Sequence, residues 1–439
     1  MASSEVRIVG GVVVTQNDQR RIIDDGEVAY DPLTGRITYV GEIRGLGGDI
    51  DAAGCVVLPG LTNGHTHSGM TPMRGYSDDG SLQGWLEAIR EFEELMTYDD
   101  VRAGLRLALA EMIQTGTTSF ADMFMWDATL LADVADAGMR VLASPAVFDY
   151  DAVGYPAANS GNGRDALDAT ERLATEFSSD PLVHIAFGPH APYSCPPELL
   201  QDVARRAARL NLPVHIHLSE TAREVDECRA AHGVTPIGLA RRCGLFDNRV
   251  HVAHGVHATE QDCGILAAAG ASVTHSPVSN LKLGAGIAPV AELLAAGVTV
   301  ALGTDSVASN NSLDMFEEIK TGAIIHRGLH ENPDVISAAD VLDMATLHGA
   351  SAIGCGASGR LVVGEAADII VVSADTTRAT PLTSPTSFLI YAANGQDVRD
   401  VVVAGRPLMR NRRLLTIDVA QARAQVAGTS ARIRAQLAH

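Results

Sequence analysis

From about residue 58 to about residue 360 the chain alternates short apolar, β-branched runs with Ala/Leu/Arg-rich helical stretches. No other feature constrains the fold as much. The runs are Val57–Leu61, Thr117–Asp122, Arg140–Val147, Leu182–Phe187, Val214–Leu218, Val250–Ala253, Ser272–Thr274 and Val298–Leu302. Between them lie helical patterns such as Val101–Thr115, Pro197–Leu210, Glu260–Ala269 and Ala288–Ala296. Strands that are apolar on both faces, and separated by helices, pair in parallel under a helical cover. Eight such units predict an α/β fold, a closed (β/α)8 TIM-type barrel.

The chain ends have a different texture. Val6-Arg7-Ile8-Val9 and Val12-Val13-Val14 are β-branched, Gly10-Gly11 and Asp24-Asp25-Gly26 are turn chemistry, and Ile37–Gly41 resumes a strand. Beyond a helix at about Ala338–Gly354, strands are expected at Leu361–Gly364, Asp368–Val372 and Val398–Val403, with a final helix over Ala420–Leu437. The economical arrangement is one small β-sandwich built from both ends. Its parts are residues 1–57 and 361–439, the latter including the terminal helix, around a barrel over 58–360.

A formal net charge of −20 argues against nucleic acid or an anionic membrane as the main partner, since both need a basic face. No apolar run approaches a membrane span. Met1-Ala2-Ser3-Ser4-Glu5 has no basic start before an apolar core, so no signal peptide is expected. The six cysteines are scattered without a CxxC pair, which predicts reduced thiols and a cytoplasmic protein. A small-molecule substrate and a homo-oligomer are the expected partnerships.

In a barrel of this kind function sits at the C-terminal strand ends. These ends read Asn63-Gly64-His65-Thr66-His67, Gly188-Pro189-His190, His215-Ile216-His217-Leu218-Ser219-Glu220, Ala253-His254-Gly255, His275-Ser276 and Gly303-Thr304-Asp305. A single histidine at one of them is more often structural than functional, but their recurrence at most strand ends is hard to assign to chance. His65 and His67, two apart in a strand, aim at one side. With His217 and Asp305 they supply three imidazoles and a carboxylate, a donor set that suits one divalent metal, zinc foremost. Such a metal makes water a usable nucleophile near neutral pH. Glu220, three residues beyond His217, is placed to shuttle a proton, and His254 to orient or polarise the attacking hydroxide.

These strand ends resemble the amidohydrolase superfamily, and within it the branch holding methylthioadenosine/S-adenosylhomocysteine deaminases and triazine chlorohydrolases. Further matching pieces are Pro189-His190-Ala191-Pro192-Tyr193-Ser194-Cys195, Ser279-Asn280-Leu281-Lys282-Leu283-Gly284 and Thr304-Asp305-Ser306-Val307-Ala308-Ser309-Asn310-Asn311-Ser312. They run in the family's order over nearly the whole chain. The resemblance implies an aminohydrolase in which Glu220 carries a proton from water to a ring nitrogen. His254 and Asp305 would stabilise or deprotonate the attacking water.

Superfamily members with two metals commonly bridge them with a carboxylated lysine at the end of strand four. The only lysines here are Lys282 and Lys320, so a single metal is implied and His190 is free to face substrate. The segment Trp85–Thr97 matches the family's substrate loop, with Trp85 in it and Glu93 or Glu94 taking the ribose hydroxyls. The arginine that some relatives carry past strand three is replaced by Ser144-Pro145-Ala146, with Arg164 a possible substitute later in that loop. That departure favours uncharged 5′-substituted adenosines over S-adenosylhomocysteine.

The implied activity is deamination of an adenine-type nucleoside: 5′-methylthioadenosine, S-adenosylhomocysteine, adenosine or another 5′-modified adenosine. The alternatives are a hydrolase of guanine-like, pterin or s-triazine rings, and a non-catalytic binding barrel. Gly354–Gly359 matches GxGxxG, but it follows a helix and precedes a strand, the reverse of a dinucleotide site, and reads as a helix C-terminal turn.

Overall fold

The computed structural model describes residues 5–79, 82–149 and 165–438. The N-terminal strands are β1 (Val6–Val14), β2 (Ile22–Asp31), β3 (Arg36–Glu42), β4 (Ile50–Asp51) and β5 (Cys55–Pro59). The central strands are β6 (Leu61–Thr66), β7 (Thr117–Phe124), β8 (Arg140–Val147), β9 (Val183–Ile185), β10 (Gly188–Pro189), β11 (Val214–Leu218), β12 (Val250–His254), β13 (Ser272–His275) and β14 (Thr299–Leu302). Four more, β15 (Ile369–Ser373), β16 (Val398–Val403), β17 (Arg406–Arg410) and β18 (Arg413–Leu414), precede the helix Val419–Leu437.

The central strands form two parallel sheets flanked by helices, so the fold is α/β. In one, β6, β7, β8 and β10 are neighbours, with β9 also pairing with β8; the other runs β11-β12-β13-β14. The sheets meet at two seams. Phe187 bridges Val214 in parallel, and Thr66 bridges Asp305. At the second seam the Asp305 N–H donates to the His65 carbonyl at 2.9 Å. Parallel pairing brings the C-terminal ends of these strands to one side, which is where the polar residues stand.

Both chain ends enter a third sheet of nine strands, ordered β18-β17-β16-β15-β5-β1-β2-β3 with β4 on β1. The joint is β5, which pairs in parallel with β1 and antiparallel with β15. Around it lies a core separate from that of the central sheets, drawing Ile8, Val13, Val28 and Val57 from one end and Leu361, Ile369, Val371 and Val402 from the other.

The local structure departs from sequence expectation at four places. Gly10-Gly11 is a bulge inside one continuous strand: the pairing register shifts there, and Gly10 has φ +86°, which suits a glycine. The run Val57–Leu61 is two strands. Cys55–Pro59 belongs to the end sheet and Leu61–Thr66 to the central one. The chain crosses at Gly60, where a Cβ would lie 2.1 Å from Thr118 Oγ1. Leu361–Gly364 forms no strand, because its backbone bonds run singly to Thr15 and Ile37. Ala338–Gly354 is two helices, Ala338–Ala345 and Leu347–Ile353, broken at Thr346. The Gly354 turn is a left-handed helix cap with φ +59°.

A buried ion pair ties the end sheet to the central one. Arg140 Nε lies 2.8 Å from Asp368 Oδ2, and the two side chains are 6% and 4% exposed. Asp368 Oδ1 also accepts the Ala404 N–H at 2.7 Å. Among the described residues no helix is long and apolar enough to cross a membrane.

Candidate metal centre and active site

His65 lies within β6 and His67 just after it, His217 within β11, His254 at the end of β12, and Asp305 beyond β14. The ligand atoms of His65, His67 and His217 all lie within 4.8 Å of one another, as do those of His65, His254 and Asp305. Asp305 Oδ1 is 3.3 Å from His67 Nε2 and 3.5 Å from His65 Nε2. Its other oxygen accepts Ser279 Oγ–H at 2.6 Å and Ser309 Oγ–H at 3.2 Å, which fixes the carboxylate plane.

Backbone carbonyls set the imidazole tautomers. His67 Nδ1–H donates to the Met123 carbonyl at 2.6 Å, and His217 Nδ1–H to the His190 carbonyl at 2.8 Å. Each directs Nε2 inward, the nitrogen through which a metal would be held. His65 Nδ1 faces His215 Nε2 at 3.0 Å, and His215 Nδ1 faces Ser144 Oγ at 3.1 Å. His65 Nε2 is buried without a hydrogen-bond partner. Burial pushes His65 down to about 3 and His217 well below its usual value, so both are neutral. Burial also opposes protonation of His67, but the Asp305 carboxylate outweighs it and raises that imidazole to about 9. Three inward nitrogens, one of them orphaned, around a carboxylate that draws a positive charge are a donor set that fits a divalent cation.

Glu220 Oε2 stands 3.9 Å from His254 Nε2. Burial raises the Glu220 pKa, with His254 opposing. Asn280 Nδ2 meets His254 Nδ1 at 3.1 Å, leaving Nε2 to carry the proton that faces Glu220. His190, driven by burial down to about 3, bonds Ser194 Oγ through Nδ1 at 3.0 Å. Its ring packs against those of Phe148 and His217, each centroid 4.9 Å away.

The helix Leu82–Glu93 brings Trp85 and Glu93 to the same end of the molecule. Trp85 Nε1–H donates to the Ala308 carbonyl at 3.2 Å, anchoring the helix to the segment after β14. Glu93, at the helix end, is pushed up to about 7 by burial, and the charge that opposes this is His67. Glu94 points to solvent and pairs with Arg90 at 3.4 Å, because adjacent helical positions diverge by about a quarter turn. Arg164 lies outside the described residues.

Sequence reasoning singled out neither Asp122 nor Glu224. Asp122 is buried near the end of β7, accepts the Ser68 N–H at 2.6 Å and is pushed up to about 6 by burial. Its position at a strand end was the available signal. Glu224 is buried in the first turn of the helix Ala222–His232. Its sequence position looks like any first-turn helix acid, so nothing in the sequence marked it.

Fold and site together define an α/β protein with a histidine–carboxylate centre at the ends of its parallel strands. The chain belongs to the amidohydrolase family, whose profile (Amidohydrolase family) matches residues 56–408. It is 41% identical over 424 residues to a 5-methylthioadenosine/S-adenosylhomocysteine deaminase of Syntrophobacter fumaroxidans, covering 95% of each chain. It is 41% identical over 388 residues to a 5′-deoxyadenosine deaminase of Methanoregula boonei, covering 88% of this chain and 86% of that one. An adenosine deaminase from Xanthomonas campestris, solved with bound zinc, superposes with a TM-score of 0.92 at 33% identity over 98% of both chains.

Proposed function

We propose that the protein is a metal-dependent hydrolytic deaminase that releases ammonia from an adenine-type nucleoside. Candidate substrates are 5′-methylthioadenosine, S-adenosylhomocysteine, adenosine and other 5′-modified adenosines. The observation that carries the reading is the convergence of Glu220 and His254 on the inward nitrogens of His65, His67 and His217 and the carboxylate of Asp305. These last four residues would hold one divalent metal, zinc in the first instance. When bound there it supplies Lewis acidity and lowers the pKa of water.

The chain's own groups do the rest. His254 Nε2–H orients the attacking water, and Asp305 takes part in its deprotonation. Glu220, its proton affinity raised by burial, takes a proton from the water and delivers it to the ring nitrogen beside the amino-bearing carbon. The C–O bond forms; the oxygen's remaining proton passes by way of Asp305 to the amino nitrogen, the C–N bond breaks, and the amino group leaves as ammonia. Glu93 accepts the ribose hydroxyls, Trp85 walls the pocket, and His190 faces the ring.

The two central sheets are read as one closed (β/α)8 barrel, on the strength of the seams at Phe187–Val214 and Thr66–Asp305. The end sheet is read as a separate sandwich-like domain, supported by its own core and by Arg36 bridging Ala366. A homo-oligomer in the cytoplasm is part of the proposal, and the six free, buried cysteines fit a reducing compartment.

The test is ammonia release across a panel of 5′-methylthioadenosine, S-adenosylhomocysteine, 5′-deoxyadenosine, adenosine, guanine, a pterin and an s-triazine. Turnover of adenine nucleosides with the inosine-type product is expected. Turnover confined to guanine, pterin or triazine rings would replace the proposal.

A further inference from the structure

Side chains alternate along a strand, so His215, His217 and Ser219 should share one face and Glu220 the other. Glu220 nevertheless comes within 3.9 Å of His254 Nε2, on the side where His217 joins the other imidazoles. The alternation breaks at Ser219, whose φ is +55°. That left-handed conformation is unfavourable for a residue with a Cβ and persists only where neighbours hold it. Two neighbours do. The Ser219 carbonyl accepts the His257 N–H at 2.9 Å. On the other side Glu224 Oε1 accepts the Ser219 N–H at 3.0 Å, while Oε2 accepts the Glu220 N–H at 2.7 Å.

Glu224 occupies the third position of its helix, after the N-cap Thr221, whose Oγ1 accepts the Glu224 N–H at 3.1 Å. Among the described residues three other α-helices carry an aspartate at that position: Asp100, Asp262 and Asp340. Each accepts its own N-cap N–H, at 2.8, 2.9 and 2.8 Å. The extra methylene of Glu224 carries its carboxylate farther back, onto the two residues that make the reversal. We infer that Glu224 is a positioning residue for Glu220: it clamps the left-handed turn at Ser219 and so delivers the Glu220 carboxylate to the reaction site. This rests on the proton-carrying role proposed for Glu220.

The distinguishing variant is Glu224→Asp, which keeps the charge and can form the ordinary helix cap but is too short to reach the turn. It should retain wild-type metal content and a melting temperature within a few degrees. Amide exchange at Ser219 and Glu220 should accelerate. kcat should fall roughly 10–100-fold, the scale of a misplaced catalytic group, with little change in KM. Glu224→Gln, of full length and with one acceptor oxygen, should be intermediate. Adding Ser219→Gly to Glu224→Asp should recover part of kcat, because glycine adopts the left-handed turn without a Cβ penalty.

Unchanged kcat and exchange in Glu224→Asp would make Glu224 an ordinary first-turn helix acid and overturn the inference. So would a loss of kcat that tracks a loss of metal. If the wild-type protein turns over no adenine nucleoside, the proposed function fails, while the exchange measurement still decides whether Glu224 holds the turn.

Discussion

Replacing Glu220 by Gln tests the proposed chemistry most directly. The carboxylate lies 3.9 Å from His254 Nε2 and is in neither of the two groups of converging ligand atoms. The amide matches the carboxylate in size and still accepts a hydrogen bond, so metal content and substrate affinity should hold. What is lost is proton transfer, which burial favours by raising the Glu220 pKa. General acid–base catalysis is worth about 10²–10⁴-fold, or roughly 3–5 kcal/mol of barrier at about 1.4 kcal/mol per decade. Steady-state ammonia release should show kcat down by at least the lower figure with KM near wild type. Elemental analysis of the same preparation should show about one equivalent of metal. His217→Ala is the contrast, since removing an inward nitrogen should empty the site. If Glu220→Gln loses metal as His217→Ala does, Glu220 belongs to the coordination shell and the reasoning is wrong. If its kcat stays close to wild type, the proton is carried by another group, His254 being the next candidate.

Glu93→Gln should lower kcat/KM for nucleosides by about 10–100-fold, the worth of a charge-assisted hydrogen bond, whereas Glu94→Gln should be neutral because that side chain is exposed; equal effects in steady-state kinetics would refute the assignment. Arg140→Met leaves Asp368 buried without its cation and should cost about 3–5 kcal/mol in denaturant unfolding; a loss below about 1 kcal/mol would show the pair to be unimportant. Burial pushes Glu318 up to about 8 from an ordinary 4.5, so the folded state binds its proton more tightly than the unfolded chain. Its contribution is therefore complete below about pH 4.5 and fades as pH rises toward 8. Glu318→Gln should flatten that decline in melting temperature measured against pH, and identical slopes in variant and wild type would contradict it.

Residue type and local period carried much of this molecule. The alternation of apolar runs and helical stretches is a local pattern, and it yielded the α/β class and the order of elements. The helices Pro197–Leu210 and Glu260–Ala269 fall where the apolar spacing and the flanking Pro, Thr and Gly put them. Polar residues at strand ends are conspicuous because their surroundings are apolar, which is why His65, His67, His217, His254 and Asp305 stood out and why the family resemblance was readable. Other features depend on contacts between residues distant in the chain. That Glu93 turns inward and Glu94 to solvent depends on the rotation of one helix, set by packing that includes the Trp85 bond to Ala308. The imidazole tautomers are set by carbonyls of Met123 and His190, each on a different strand or loop. The run Val57–Leu61 looked like one strand of the barrel because it is apolar. Its part up to Pro59 joins the end sheet because β15, more than 300 residues later, offers it a second edge. The turn that brings Glu220 round required a left-handed serine, which no local preference predicts and only the clamp of Glu224 and His257 sustains. Sequence by itself determined the elements and the chemical types at their ends. Tertiary structure decided which of those groups meet, because orientation and hydrogen-bond partner are properties of packing between elements and not of any one segment.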